Sequence, residues 1–270
     1  MKPVFLSSAL QVSPLILAAT LFAKANPALS QASNIVPDDT LGEESSQVIE
    51  NFNELPVEVI TGGAQRGQNL FHSFQEFNVS EGRGAYFNSP NVDVQNIFSR
   101  VTGSNPSEIM GVLGTFGESN PDLYLINPNG IVFGENSSLD VGGSFTATTA
   151  DGIEFSEGGF FSAVTPGESL LTISVPLGLQ FGSTPGSIVN RSFAQDETGE
   201  NVGLQVPTGK NLSFIGGKVS FEAGKATASG GNINIGGLSE SGTVTLRLML
   251  RKELAWQVKI RIYLAELPTI

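Results

Sequence analysis

Cysteine is absent from the 270-residue chain. No disulfide can brace the fold, and thiol catalysis, cysteine-based zinc sites and iron–sulfur clusters are excluded. A chain without thiols also cannot be jammed by a premature crosslink while it crosses a membrane unfolded. Basic residues are scarce: 14 Lys and Arg face 26 Asp and Glu, giving a formal net charge of −12. Phosphate backbones and anionic lipid attract basic surfaces, so this balance speaks against a nucleic-acid or anionic-membrane partner. Beyond the N-terminus no apolar run approaches the roughly 18 residues of a membrane helix, so the mature chain is expected to be soluble. Helical periodicity is missing too: nothing between residues 33 and 240 holds it for three turns, and the best helical candidate, Pro106 to Met110, is short.

The two ends differ from the body. Lys2 is followed by an apolar, uncharged run from Val4 to Ala23, and both Ala23-Lys24-Ala25 and Ser30-Gln31-Ala32 are small-x-small sites. This is the layout of a Sec-type signal peptide over residues 1–32. Cleavage is expected after Ala32, because helix-breaking Pro27 then falls before the cut; Ala25 is the rival site. Pro14 and the missing basic flank argue against a retained membrane helix. Residues 33–240 carry 24 acids and 7 bases, whereas residues 241–270 carry 2 acids and 5 bases. That change of sign marks a boundary. Past it lie the only Trp, Trp256, and two alternating runs, Leu246/Leu248/Leu250 and Val258/Ile260/Ile262. This tail reads as a closing cap, a partner-binding strand pair, or the remnant of a truncated or frameshifted reading frame. The abrupt change of composition favours the last.

What is abundant is turn and strand chemistry. The chain has 32 Gly and 14 Pro, more than the roughly 12% of an average protein, which favours many turns over long elements. Short apolar/polar runs recur: Ala85–Phe87, Leu123–Ile126, Ile131–Phe133, Phe145–Thr148, Leu171–Val175, Leu212–Ile215, Val219–Phe221 and Ile233–Ile235. Each is three to five residues long and bounded by Gly, Asn, Pro or Ser, the pattern of strands between tight turns. Asn129-Gly130 is the only Asn-Gly pair, the two-residue signal of a type I′ hairpin. The other breaks are Gly-Gly pairs, which suit corners where the chain bends rather than reverses. Residues 209–237 repeat loosely as Gly-Lys-Asn-Leu-Ser-Phe, Gly-Lys-Val-Ser-Phe and Gly-Asn-Ile-Asn-Ile, as stacked coils do. The expected class is all-β, a parallel β-helix, with a sandwich as the second choice.

Asn127-Pro128-Asn129-Gly130-Ile131, running into Val132-Phe133-Gly134, resembles the signature of the filamentous haemagglutinin N-terminal domain. That is the secretion domain of two-partner secretion (TPS) exoproteins. Three further blocks agree in order: Asn69-Leu70-Phe71-His72-Ser73-Phe74 with Phe77-Asn78-Val79, Ser99-Arg100-Val101-Thr102-Gly103 with Asn105-Pro106-Ser107, and Val141-Gly142-Gly143-Ser144-Phe145. The resemblance covers residues 34–160 specifically and runs loosely to about 240. It implies a right-handed parallel β-helix with an N-terminal cap over residues 33–240. It further implies Sec export to the periplasm. There the nearly unfolded chain is recognised by the periplasmic POTRA domains of a TpsB-type outer-membrane β-barrel transporter, and it passes through to the cell surface or medium. The mature proteins of the family are commonly adhesins, haemagglutinins or cytolysins, so a host or neighbour-cell glycan or protein is the implied ligand. The family's second motif, Asn-Pro-Asn-Leu, has only Ser89-Pro90-Asn91-Val92 as its counterpart here. Candidate recognition or folding residues are therefore Asn127, Pro128, Asn129, Gly130 and Ile131, with Asn69, Leu70, Phe71, Pro90 and Asn91. On residue chemistry alone, Pro128 fixes φ at the second position of a turn, Asn127 can cap it, and Asn129 and Gly130 both tolerate positive φ. Ile126 and Ile131 would anchor it in the core.

Catalytic chemistry is thin. His72 is the only histidine, and Ser73 beside it would point to the opposite face of a strand, so the two cannot pair easily. No Gly-x-Ser-x-Gly elbow, phosphate loop or calcium nonapeptide is present. Asp38-Asp39, Glu43-Glu44 and the Asp196/Glu197/Glu200 group near Arg191 read as solvated acid. The chain is expected to be a monomer without cofactor or metal and not an enzyme. A β-helical carbohydrate-active enzyme and a glycan-binding adhesin stand as alternatives.

Overall fold

A computed structural model of the chain describes residues 31–169 and 171–246. Of the signal-peptide reading (1–32) residues 1–30, and of the tail readings (241–270) residues 247–270, lie outside the described residues. The chain winds into a parallel β-helix in which each coil visits three faces in turn. The first face stacks Asn69–Asn78, Asn96–Val101, Asp122–Ile126, Phe145–Thr148, Leu212–Gly216 and Ile233–Gly237, all parallel. The second stacks Ser107–Ile109, Ile131–Phe133, Ser187–Asn190 and Lys218–Phe221. The third stacks Val57–Gly62, Gly84–Ser89, Val112–Gly117 and Ser138–Asp140. Parallel crossovers of this kind are right-handed in nearly all proteins.

Alternation along each strand, together with in-register stacking, builds the core. On the first face the inward column runs Leu70, Ile97, Leu123, Phe145 and Leu212, each opposite the next, and exposed Ile233 lies opposite Leu212 at its end. On the second face Ile131 lies opposite Ile188, and Phe133 opposite Ile109. These inward columns merge into one core cluster. Corners at Gly, Asn and Pro let a coil close within 27 residues (Asn69 to Asn96), and within 21 later on (Leu212 to Ile233). The first and third copies of the loose repeat stack on the first face, Leu212 opposite Ile233, while the middle copy forms a strand of the second face.

Outward residues of the first face are also apolar in the early coils: Phe71 stacks on Phe98 at 5.3 Å and Phe98 on Tyr124 at 4.7 Å. They need a cover, and an antiparallel excursion between Thr148 and Ser187 supplies it. Its strands Gly152–Phe155, Phe160–Ser162 and Pro176–Phe181 are completed by Gly242–Thr245. Phe155, Phe161, Leu179 and Val244 close a second core over the aromatic stack. Such aromatic contacts contribute about 0.5–1.5 kcal/mol each beyond burial.

The N-terminal cap is antiparallel. Asn34–Pro37 pairs with Asn69–Asn78, and Ser46–Ile49 with Val57–Gly62. Glu58 occupies an inward position at the bottom of the third face and pairs with buried Arg83, which also reaches Asn51 at 2.8 Å. A polar plug of this kind ends the apolar column without presenting a bare coil.

Two local expectations fail. Residues 107–109 of the helical candidate are a strand, because pairing with Ile131–Phe133 outweighs a weak local helical preference. Leu171–Val175 is not a strand; Ser174 N–H binds Thr172 Oγ1 at 3.1 Å, a local side-chain turn that bends the chain before Pro176. His72 and Ser73 do face opposite ways. The imidazole lies in the core 5.2 Å from the Phe87 ring, with Nδ1 3.0 Å from Ser46 Oγ, while Ser73 Oγ faces out to Asp38.

Burial holds the His72 imidazole down to about 3. The unfolded chain therefore binds a proton that the folded chain refuses, and stability falls as pH drops from about 6.5 toward 3. Urea unfolding across that range should show His72 contributing a loss of up to about 1.4 kcal/mol per pH unit. His72→Gln should lack that component; an identical pH slope in the variant would show that the imidazole titrates normally.

Candidate functional site: the stacked corner at residues 127–131

Asn127 to Ile131 forms the corner between the first and second faces. The Gly130 amide donates to Asn127 O at 3.1 Å, closing a turn with Pro128 and Asn129 at its centre. The Asn127 side chain is fully buried. Its Oδ1 accepts the Asn129 amide at 3.0 Å, capping the turn from within. Its Nδ2 donates to Asn105 O and to Ser107 Oγ, both at 3.0 Å, on the coil below. Asn129 is exposed, yet its Nδ2 donates to Gly103 O at 2.8 Å. The expected freedom of Asn129 goes unused: only Gly130 takes positive φ, at 130°. Ile131 anchors the turn in the main core, whereas Ile126 points outward into the second one.

The coil above is fitted just as closely. Gly186 N–H donates to Pro128 O at 2.9 Å. A Cβ on Gly186 would lie 2.5 Å from the Asn129 carbonyl carbon and 2.6 Å from the Gly130 nitrogen. The corner is thus a three-layer stack of Gly103–Ser107, the motif turn and Gly186. Sequence reasoning missed Gly186; its signal was Pro185-Gly186, a turn pair just before a strand.

The other candidates sit elsewhere. Asn69 opens the first long strand of the first face, at the opposite end from the Asn127 corner. Its Nδ2 tethers the excursion through Thr172 O at 3.1 Å and Ser174 O at 2.9 Å, and its Oδ1 accepts from Asn96 at 3.0 Å. Leu70 points into the main core and Phe71 into the second. Pro90 is exposed at the corner leading from the third face back to the first. Asn91 there caps its own turn through the Asp93 amide and donates to Gln65 Oε1 at 2.9 Å. Asn69 and Asn91 therefore belong to the same side of the early coils, and Asn127 to Ile131 to the other. The motifs do not form one pocket.

The acidic groups that the sequence singles out are engaged separately. Asp196 caps its own loop through Thr198 and Glu200, and Arg191 pairs with Glu222 at 2.8 Å rather than with that loop. Asp38, taken as solvated acid, is half-buried and accepts hydrogen bonds from Thr40, Ser73 and Thr102, which hold its carboxyl below the usual range despite the cost of burial. Among the described residues no group of three or more His, Asp or Glu is placed to hold a metal.

The chain's distinctive sequence blocks thus lie in the strands and corners of a capped β-solenoid. The model of the TPS secretion domain family matches residues 33–261, and the chain belongs to that family. It is the secretion domain of a two-partner secretion exoprotein. The heme/hemopexin-binding protein of Haemophilus influenzae is 34% identical over 87 residues, 32% of this chain and 9% of that protein. The HMW1 secretion domain from Haemophilus influenzae aligns with a TM-score of 0.47 at 20% identity, covering 81% of this chain and 46% of that one. The filamentous hemagglutinin secretion domain aligns at 0.42 and 18%, covering 74% of this chain and 73% of that one.

Asn127→Ala should destabilise the fold by about 3 kcal/mol, since it strands buried partners on two layers. Gly186→Ala should cost about 2 kcal/mol or more through backbone collision, and Asn129→Ala under about 1 kcal/mol. Denaturant midpoints of the three variants check this order; Asn129→Ala proving the most harmful would contradict it.

Proposed function

We propose that residues 1–32 send this chain through Sec to the periplasm and that residues 33–240 then present it to the POTRA domains of a TpsB-type outer-membrane β-barrel. The exoprotein emerges at the cell surface or in the medium, in an adhesin- or haemagglutinin-like role toward a glycan or protein ligand. Membership of the secretion-domain family supports the route, because domains of this family are recognised by TpsB transporters. The recognition residues are Asn127, Pro128, Asn129, Gly130 and Ile131, with Asn69, Leu70, Phe71, Pro90 and Asn91 as secondary contacts.

The observation that carries the assignment is the burial of Asn127. In the folded protein its amide is consumed by Asn105, Ser107 and Asn129, and Ile131 is in the core. A transporter can read Asn127 and Ile131 only before the coils stack. The motif therefore serves twice: as a recognition sequence in the unfolded chain and as a corner in the folded one.

Export tests separate the two roles. With the transporter present, Asn127→Ala/Asn129→Ala should hold the chain in the periplasm. Gly186→Ala breaks the same corner from the neighbouring coil without touching the motif, and it should still be exported. Equal retention of both variants would mean that the motif acts through folding alone. Export of the Asn127/Asn129 variant at the wild-type level, or of the wild type without a transporter, would remove the recognition role.

A further inference from the structure

Arg100 is the largest side chain wholly buried in the described protein, and it forms no ion pair with a carboxylate among the described residues. It lies on the outer side of the first face, between that face and the excursion. Its Nε donates to Ser73 Oγ at 2.8 Å on the neighbouring coil. One Nη donates to Thr40 Oγ1 at 2.8 Å in the N-terminal cap. The other donates to Ser162 O at 2.6 Å and Ser169 Oγ at 2.5 Å in the excursion, and the guanidinium lies 4.3 Å from the centre of the Phe161 ring. Its counter-charge is Asp38, one hydroxyl away, reached through Ser73 and Thr40. Burial pulls the guanidinium down to about 10, so it remains charged at neutral pH.

A cation placed in this way is tolerated only when its donors are satisfied together. If the excursion docks without the cap, the guanidinium loses water on one side and gains neither Thr40 nor the nearby Asp38 charge. If the cap closes without the excursion, the donors meant for Ser162 and Ser169 have no protein acceptor. The two segments share no strand pairing: the cap strand Asn34–Pro37 pairs only with Asn69–Asn78, and the excursion forms its own sheet. Arg100 bridges them by hydrogen bonds to both, beside an apolar contact of half-buried Leu41 in the cap with the excursion's core.

We propose that Arg100 is a latch that couples the N-terminal cap to the excursion, so that these two segments open and close as one unit. The latch rests on the fold and not on the secretion reading, so export data leave it standing or falling by itself. Without such a latch, two segments joined to the coils by separate sheets would be coupled only through the Leu41 contact and would open largely independently.

Amide hydrogen exchange on the purified full chain tests the latch. Ile35→Ala loosens the cap at a core contact that does not touch Arg100. In the wild-type background it should speed exchange of the excursion amides Asp151 and Ala163, which bond Gln180 O and Asp151 O, at least about tenfold along with the cap amide of Asp38. Amides of Leu212–Gly216, far along the solenoid, should not change. In an Arg100→Met background Ile35→Ala should speed only the cap. Should Arg100→Met fail to fold, Thr40→Val keeps the arginine, cuts its link to the cap, and should uncouple the two segments in the same way. Excursion amides indifferent to Ile35→Ala in the wild-type background would overturn the proposal. So would coupling that persists undiminished in the Arg100→Met and Thr40→Val backgrounds.

Discussion

The whole architecture depends on one constraint: a coil of this protein can bury its inward side chains only on the coils directly above and below. A strand of three to six residues carries two or three apolar groups, too few to form a core alone. Stacked in parallel and in register, the same groups become continuous columns, such as Leu70, Ile97, Leu123, Phe145 and Leu212. A slip of one residue in any layer would turn its apolar side chains outward and place polar ones inside. Register is therefore what the corners must protect. The buried Asn127 amide does this by bonding the layer below, and Gly186 does it by having no side chain where the layer above meets the turn.

The ends and sides of such a stack pose a different problem from its middle. At the N-terminal end the apolar column stops at the Glu58–Arg83 pair, where the guanidinium holds Glu58 Oε1 and Asn51. Along the first face, the exposed aromatic column of Phe71, Phe98 and Tyr124 demanded a cover, and the antiparallel excursion grew out of the coil path to provide it. The excursion brings its own polar problem in Arg100, solved with oxygens drawn from three separate stretches of chain. Polar groups in this protein thus sit where stacking alone does not define the arrangement.

For a secretion domain these features share a logic. Absence of cysteine leaves nothing covalent to lock the chain early. Motif residues that are buried after folding are available before it. Most stabilising contacts join residues of adjacent coils rather than neighbours within one helix or hairpin, so little stable structure is possible until several coils have assembled. The same sequence is thus slow to form local structure yet packs well once its coils have stacked.

By itself the sequence determined the local grammar: short strands by alternation, corners by Gly, Asn and Pro, an all-β solenoid by their spacing, and family membership by four ordered blocks. It also placed His72 and Ser73 on opposite faces, because strand geometry leaves no choice. Tertiary structure decided which layers meet. Phe145 stacks on Leu212 across the whole excursion, and nothing local specifies that partner, since a strand's affinity for its neighbour depends on a surface created by the rest of the chain. For that reason Asp38 looked like solvated acid until Arg100 lay one hydroxyl away. For that reason, too, residues 107–109 became a strand despite a local helical signal, and Leu171–Val175, despite its alternation, bent instead. Turn and strand preferences are decided within a few residues; a buried charge or a stacking partner is decided only when distant segments arrive together.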